Sequence, residues 1–317
     1  MKSGTRPLLL MLAFLLGAKA LGLLPQSREL EEWKLVTSLA LDTGEEAVTA
    51  TALTGVRTTE EEEPETFSGE GASLAEACAA LRQNSSRRAY LGQTQQLLLG
   101  EGQDLQAAMD FVLLSREVRT DTLLYIVKGE AGAALSASAD KVGAETGGQD
   151  PRGRTVGELL PRLSEGEYTL TPALKPDEKG LLAPAGWAVL GPGGVADYLE
   201  GDAALGADLL TGLGTDQTVT LPGGAVQLTS VRIWAKGGKL CCALTARVAQ
   251  GTPGAADLED WGAEKLKAAL AYGWDCWGLR RGLAALEPWT WESWREADIS
   301  ALQVEVTGKL VGEHGGE

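Results

Sequence analysis

Two tetrapeptides pin helix starts in this chain. In Ser73-Leu74-Ala75-Glu76 and Thr155-Val156-Gly157-Glu158, a hydroxyl at the first position and a carboxylate at the fourth each satisfy a free backbone N–H, the reciprocal pattern of a capping box. Around the first of them the sequence is β-prone. Leu35 to Asp42 and Ala47 to Gly55 flank the turn signal Asp42-Thr43-Gly44 and predict a hairpin. The helix opened at Ser73 carries Leu74, Ala77, Cys78 and Leu81 at core spacing. Gln95 to Gly100 then reads as a buried strand, Leu105 to Leu114 as a helix and Thr122 to Val127 as a strand, giving the order β-β-α-β-α-β. The run Glu60 to Glu63 with Pro64 and Glu65 is unspaced and reads as solvated loop rather than a cation site.

A polar, Gly-rich passage from Gly143 to Gly153 offers little to bury and marks a boundary. Beyond it the second capping box opens a short helix to Leu163. Trp187 to Leu190 and Val195 to Leu199 are strands either side of Gly191-Pro192-Gly193-Gly194, and a helix follows from about Asp202 to Leu213. The last third holds strands near Gln217 to Leu221, Val226 to Ala235 and Lys239 to Ala249. A long helix is expected from about Asp257 to Leu286, stopped by Pro288, and Leu302 to Val306 alternates as a closing strand. A chain of 317 residues exceeds one ordinary core. The expected class is α+β, with two to three small mixed α/β domains, antiparallel or mixed sheets, and a C-terminal domain with a long helix packed on a sheet. The expected division is 1–24 as signal peptide or N-terminal anchor, 25–145 as an N-terminal domain, 146–213 as a middle domain with linker, and 214–317 as a C-terminal domain.

The first two dozen residues speak of location. Lys2 and Arg6 precede an apolar run from Pro7 to Ala18, and Ala18-Lys19-Ala20 supplies small residues at signal-peptidase positions, which makes Ala18 and Ala20 the cleavage candidates. The run is about a dozen residues, short of the roughly 20 that a spanning helix needs, although Leu21 to Leu24 extend it into an uncleaved anchor if it is retained. The remainder is expected outside the cytoplasm. With 44 acidic against 28 basic side chains and a formal charge of −16, the surface repels phosphate backbones, so nucleic acid is not an expected partner.

Residues for bond chemistry do not converge. The single histidine, His314, stands in a Gly/Glu tail, and His-dependent nucleophilic catalysis needs an ordered imidazole beside its nucleophile. Cys78, Cys241, Cys242 and Cys276 form no Cys-x-x-Cys pair, and Cys241 and Cys242 are adjacent in a strand, so their side chains face opposite ways. A disulfide from Cys276 to one of them is one reading for an exported chain, and free buried thiols are the other. The Gly191-Pro192-Gly193-Gly194 loop joins two strands, so no helix N-terminus faces a phosphate there. No spacing singles out a carboxylate pair for glycoside hydrolysis. Trp289, Trp291 and Trp294 cluster either as a core patch or as an interface or membrane-surface patch. No catalytic, cofactor-binding or metal residue is expected.

A run of short matches carries a resemblance. Arg28-Glu29-Leu30 with the strand Leu35 to Asp42, Gly71 to Ala77, Arg87 to Gln93, Leu97 to Glu101 and Arg116 to Gly129 come first. They are followed by Leu174 to Gly180, Ala185-Gly186-Trp187-Ala188-Val189, Leu210-Thr211-Gly212, Trp277-Gly278-Leu279, Pro288-Trp289 and Val304 to Val311. In this order they resemble the Ger(x)C family, the C subunit of spore nutrient germinant receptors, across nearly the whole mature chain. The resemblance implies a non-enzymatic subunit, without cofactor, that sits at the outer face of a membrane and works with integral-membrane receptor subunits. The sequence departs from the family at two places: no cysteine precedes Cys78, where relatives carry a lipidated one, and Gln93 stands where they carry histidine. Export without lipidation is therefore expected. The rival functions are a free extracytoplasmic ligand-binding protein and, more distantly, a secreted hydrolase.

Overall fold

The computed structural model describes residues 33–45, 47–54, 64–138, 152–286, 292 and 296–312. Its first strand, β1 (Trp33–Thr43), lies inside a ten-stranded mixed sheet. Antiparallel β2 (Val48–Thr54) and β3 (Thr66–Gly71) extend the sheet on one side. On the other side β5 (Gln96–Gly100), β6 (Leu123–Val127) and β8 (Thr169–Pro176) follow, each parallel to its neighbour, and antiparallel β9 (Leu182–Gly191) and β10 (Gly194–Leu199) close the row. Two short strands complete it: β4 (Arg88–Tyr90) pairs with the start of β1, and β7 (Arg154–Thr155) pairs with β6.

Both faces of this sheet are covered, which is why Leu97, Leu98 and Leu99 are consecutive and all buried. Leu39, Leu41, Leu97, Leu99, Leu124 and Ile126 point to one layer, against α1 (Leu74–Asn84), α2 (Leu105–Ser115) and α4 (Val156–Ser164). Ala40, Leu53, Leu98 and Val127 point to the other, against α3 (Ala131–Ser138). On that same face Leu170, Trp187 and Val189 pack on α5 (Gly201–Leu210).

Both predicted N-caps form, and one of them is a full capping box. The second is complete, with Thr155 Oγ1 accepting from Glu158 N–H and the Glu158 carboxylate accepting from Thr155 N–H. In the first, Ser73 Oγ accepts from Glu76 N–H, while the Glu76 carboxylate accepts from Ala72 N–H, one residue earlier than the pattern predicts.

Several features differ from the sequence reading, and the order β-β-α-β-α-β lacks two elements that the structure has, β3 before the first helix and α3 after β6. The boundary expected between 145 and 146 falls among residues outside those described, and the strands on either side of it share one sheet: Ile126 pairs with Ala173 and Val127 with Leu174. Residues 169–176, to which the sequence reading assigns no element, form a strand that contains Pro172 and ends on Pro176. The ladder is irregular between Pro172 and Leu174. The long helix expected over 257–286 is two helices, α6 (Ala255–Leu270) and α7 (Leu279–Leu286). Gly273 takes φ 75° and Gly278 φ 66°, a left-handed backbone that ends a helix at little cost only when no Cβ is present.

The C-terminal third carries a second, four-stranded sheet, ordered β11 (Thr218–Leu221), β12 (Gly224–Lys236), β13 (Lys239–Gly251) and β14 (Gln303–Val311). The first three are antiparallel, and β14 runs parallel to β13. Helix α6 packs on one face over Val226, Leu228, Cys242, Leu244 and Ala246, and α7 lies on the same side against Ile233 and Ala235. The two sheets meet where α5 crosses α6. A Cβ at Gly206 would stand 2.0 Å from the Lys265 carbonyl oxygen, so the helices touch backbone to backbone. Lys265 Nζ bonds Asp202 Oδ1 at 2.9 Å across the same joint.

Candidate functional site

The carboxyl end of a parallel strand set is where open α/β sheets place ligands, and here β1 ends on a half-buried acid. Asp42 Oδ1 accepts from Ala131 N–H and Oδ2 from Gly132 N–H, each at 2.7 Å. The N-terminus of α3 is thus capped by a side chain some ninety residues away, a charge-assisted arrangement that also suits the helix dipole. The approach is close: a Cβ at Gly100 would lie 2.1 Å from Asp42 Oδ1. Burial raises the Asp42 pKa above its usual value of 3.8, against the two backbone donors that lower it, and Glu130 raises it further.

Helix α3 covers only part of its sheet face. Beside it, β2 and β3 present hydroxyls, and the space between is a cleft of about 650 Å³. Thr43, Thr49, Thr51, Thr66, Ser68 and Ser136 line it together with the acids Asp42, Glu101 and Glu130. The volume is that of a small-molecule pocket. Its lining contains no Lys or Arg, so it suits a polar neutral or cationic guest rather than an anion.

A second cavity, about 640 Å³, lies where the break between α6 and α7 meets α4 and β8. Asp275 caps α7 there, accepting from Leu279 N–H at 2.6 Å and Arg280 N–H at 3.1 Å. Arg162 donates to the Cys276 carbonyl at 2.6 Å and to Glu167 Oε2 at 3.1 Å, and the rings of Tyr168 and Trp274 stand 4.4 Å apart. These groups bond one another and hold the two sheets together. A buried link does the same nearby: Trp187 Nε1 donates to Asp208 Oδ1, and Gln217 Nε2 to Asp208 Oδ2, each at 2.9 Å.

The residues singled out in the sequence do not gather into a reaction centre among the described residues. Cys78, Cys241, Cys242 and Cys276 are free and buried. Burial pushes the thiols of Cys78, Cys242 and Cys276 up to about 12, so none supplies a thiolate at neutral pH. No group of three or more His, Cys, Asp or Glu side chains is placed to hold a metal among the described residues. Gly191-Pro192-Gly193-Gly194 is the turn between β9 and β10. Ala18, Ala20, His314, Trp289, Trp291, Trp294 and the acids Glu60 to Glu63 lie outside the described residues. No described helix is long and apolar enough to cross a membrane. Sequence reasoning took Asp42 for a turn residue and missed its cap on α3. It also missed the Trp187, Asp208 and Gln217 link, for which the sequence holds no local signal.

Comparison with known proteins speaks to the same architecture. Residues 26–143 match the family model described as the spore germination protein N-terminal domain. Among solved structures, the crystal structure of the GerBC protein superposes with a TM-score of 0.50 at 16% identity, over 86% of this chain and 96% of that one, which is a likeness of fold. No curated protein matches. The matched N-terminal domain spans β1 to α3, the segment that builds the Asp42 cleft, so this part of the chain is similar to the N-terminal domain of spore germination proteins.

Proposed function

We propose that this chain is a non-enzymatic, extracytoplasmic subunit of a spore germinant receptor, required for nutrient-triggered germination through assembly with integral-membrane subunits. The observation that carries the reading is the match of residues 26–143 to the spore germination protein N-terminal domain. The fold shared with the GerBC protein over most of both chains supports it. In this reading, residues 1–24 direct export and are either cleaved after Ala20 or kept as an anchor. Residues 25–145, 146–213 and 214–317 are the parts that assemble, the first two joined by one sheet. The buried thiols and the mutually bonded arginines and acids fit a chain that holds partners rather than one that turns over substrate.

A second reading, a free extracytoplasmic ligand-binding protein, is favoured by the hydroxyl-lined cleft of about 650 Å³ beside Asp42. One experiment separates the two. Spores lacking the chain are scored against a panel of nutrients and against a trigger that bypasses receptors, and the tagged chain is purified from spore membranes. The expected result is lost response to some nutrients, intact bypass germination, and copurification of a multi-span subunit. A normal response to every nutrient, in a strain without a redundant paralogue, together with no membrane partner, rejects the receptor reading in favour of the free binding protein.

A further inference from the structure

The four-stranded sheet has one face that no described helix covers. On its inner face Val226, Leu228, Cys242, Leu244, Val304 and Val306 pack under α6. The pairing puts the alternate residues outward: Arg232 opposite Ala243, Trp234 opposite Cys241 and Lys236 opposite Lys239. On the neighbouring strand Glu305, Thr307 and Lys309 stand beside Cys241, Ala243 and Thr245. Outward residues of β12 to β14 therefore include five cations, Arg232, Lys236, Lys239, Arg247 and Lys309, and one acid, Glu305, a net of +4. The whole chain carries −16, so the rest of the protein is at −20. Lys239 Nζ bonds Glu305 Oε2 at 3.3 Å, and the other four cations make no ion pair among the described residues.

Trp234 completes the surface. It is 36% exposed near the tip of the β12–β13 hairpin, next to Gly237 and Gly238. Neither cavity described above opens on this face. A cationic strand face that no described helix covers, with an indole near its edge, matches an anionic bilayer, where Lys and Arg meet headgroups and Trp settles at the water–hydrocarbon interface. We propose that the outer face of β12, β13 and β14 docks the chain onto an anionic phospholipid surface. The charge asymmetry also sets orientation, because the remaining −20 is repelled by the same surface. The inference deepens the membrane part of the reading above, but it is tested without spores, so its failure and that of the receptor reading are separately visible.

The test is flotation of the full chain with vesicles of phosphatidylcholine alone and of phosphatidylcholine with one quarter phosphatidylglycerol, at low and physiological salt. The readout is the ratio of anionic to neutral partition, compared between wild type and variants so that the contribution of the N-terminal segment, with its Lys2, Arg6 and Lys19, is common to all of them. Each cation near an anionic surface strengthens binding roughly fivefold. The double variant Arg232→Glu with Lys309→Glu is therefore expected to lower the ratio at least tenfold. A control of equal charge, Arg119→Glu with Lys179→Glu, both on other exposed surfaces, is expected to lower it less than threefold. Trp234→Ala is expected to cost a few-fold, and salt to weaken the wild type. Unchanged thermal melts show that the variants fold. A ratio near one for the wild type, or equal losses in the two double variants, overturns the proposal. Concentration-dependent self-association lost in the face variant, without vesicle binding, also overturns it and assigns the face to a second copy of the chain.

Discussion

Among the described residues, the ten-stranded sheet is covered on both faces over most of its width, whereas the four-stranded sheet is covered on one. That difference sets what each sequence looks like and where each can do anything. In the large sheet, buried runs such as Leu97-Leu98-Leu99 and Trp187-Ala188-Val189-Leu190 leave no face free, so its polar chemistry is pushed to the carboxyl end of β1 and the uncovered strip over β2 and β3. In the small sheet, β14 alternates exposed and half-buried residues along its whole length, and polar side chains spread over an open face. A cleft belongs to the first arrangement and a docking surface to the second.

The sharpest way to break the comparison is to place the same carboxylate in both sheets. Leu97 is 0% exposed, and Leu97→Asp buries a charge without a partner, so a loss of at least about 4 kcal/mol and failure to accumulate folded protein are expected. Thr307 is exposed on the outer face of β14, and Thr307→Asp is expected to change stability by no more than about 0.5 kcal/mol. Soluble yield and denaturant titration read both. Comparable losses would show that the outer face of the small sheet is covered after all.

The joint between the sheets gives the next effect. Gly206 holds α5 against the α6 backbone, where a Cβ would meet the Lys265 carbonyl at 2.0 Å. Gly206→Val overpacks the crossing and is expected to cost about 1–3 kcal/mol. Because the strain lies between the sheets rather than within either, it should also speed proteolysis in the 211–217 connection. An unchanged melting curve and digestion pattern would show that the two sheets are joined elsewhere, through Arg162 and Trp187.

What was legible follows the range of the forces involved. Helix caps and apolar strands are local signals, and the structure has them where the sequence places them, while the hairpin turns later than its signal: Asp42 and Thr43 pair within β1, and Gly44 N–H donates to the Ala47 carbonyl. Helix α3 has the unremarkable sequence Ala131-Gly132-Ala133-Ala134-Leu135, and its cap comes from Asp42 on a distant strand. No window of sequence contains both partners. Strand β8 hides behind two prolines, tolerated at an irregular step and at the strand's end. The break after Leu270 was signalled by Gly273, but a single glycine inside a helical pattern does not by itself stop it. The shared sheet across 143–153 is the least legible feature, since parallel pairing joins strands far apart in sequence. The family domain ends at 143 and the hydrogen bonding does not.

The smallest effect tests the cleft through its central acid. Two causes oppose each other at Asp42: burial disfavours the carboxylate, and the N–H groups of Ala131 and Gly132 favour it. Burial is the larger, so the folded-state pKa stands above the ordinary 3.8. A raised folded pKa means that the folded state keeps its proton at pH values where the unfolded chain has lost it. The stabilisation is then full below about pH 4 and is lost as pH rises through the folded value. Asp42→Asn removes this titration and one of the two accepting oxygens, and is expected to cost about 1 kcal/mol, as loss of a helix cap does. The deficit relative to wild type should be larger near pH 4 than at pH 7 in paired denaturant titrations. A deficit that shrinks on acidification would mean that the two backbone donors outweigh burial.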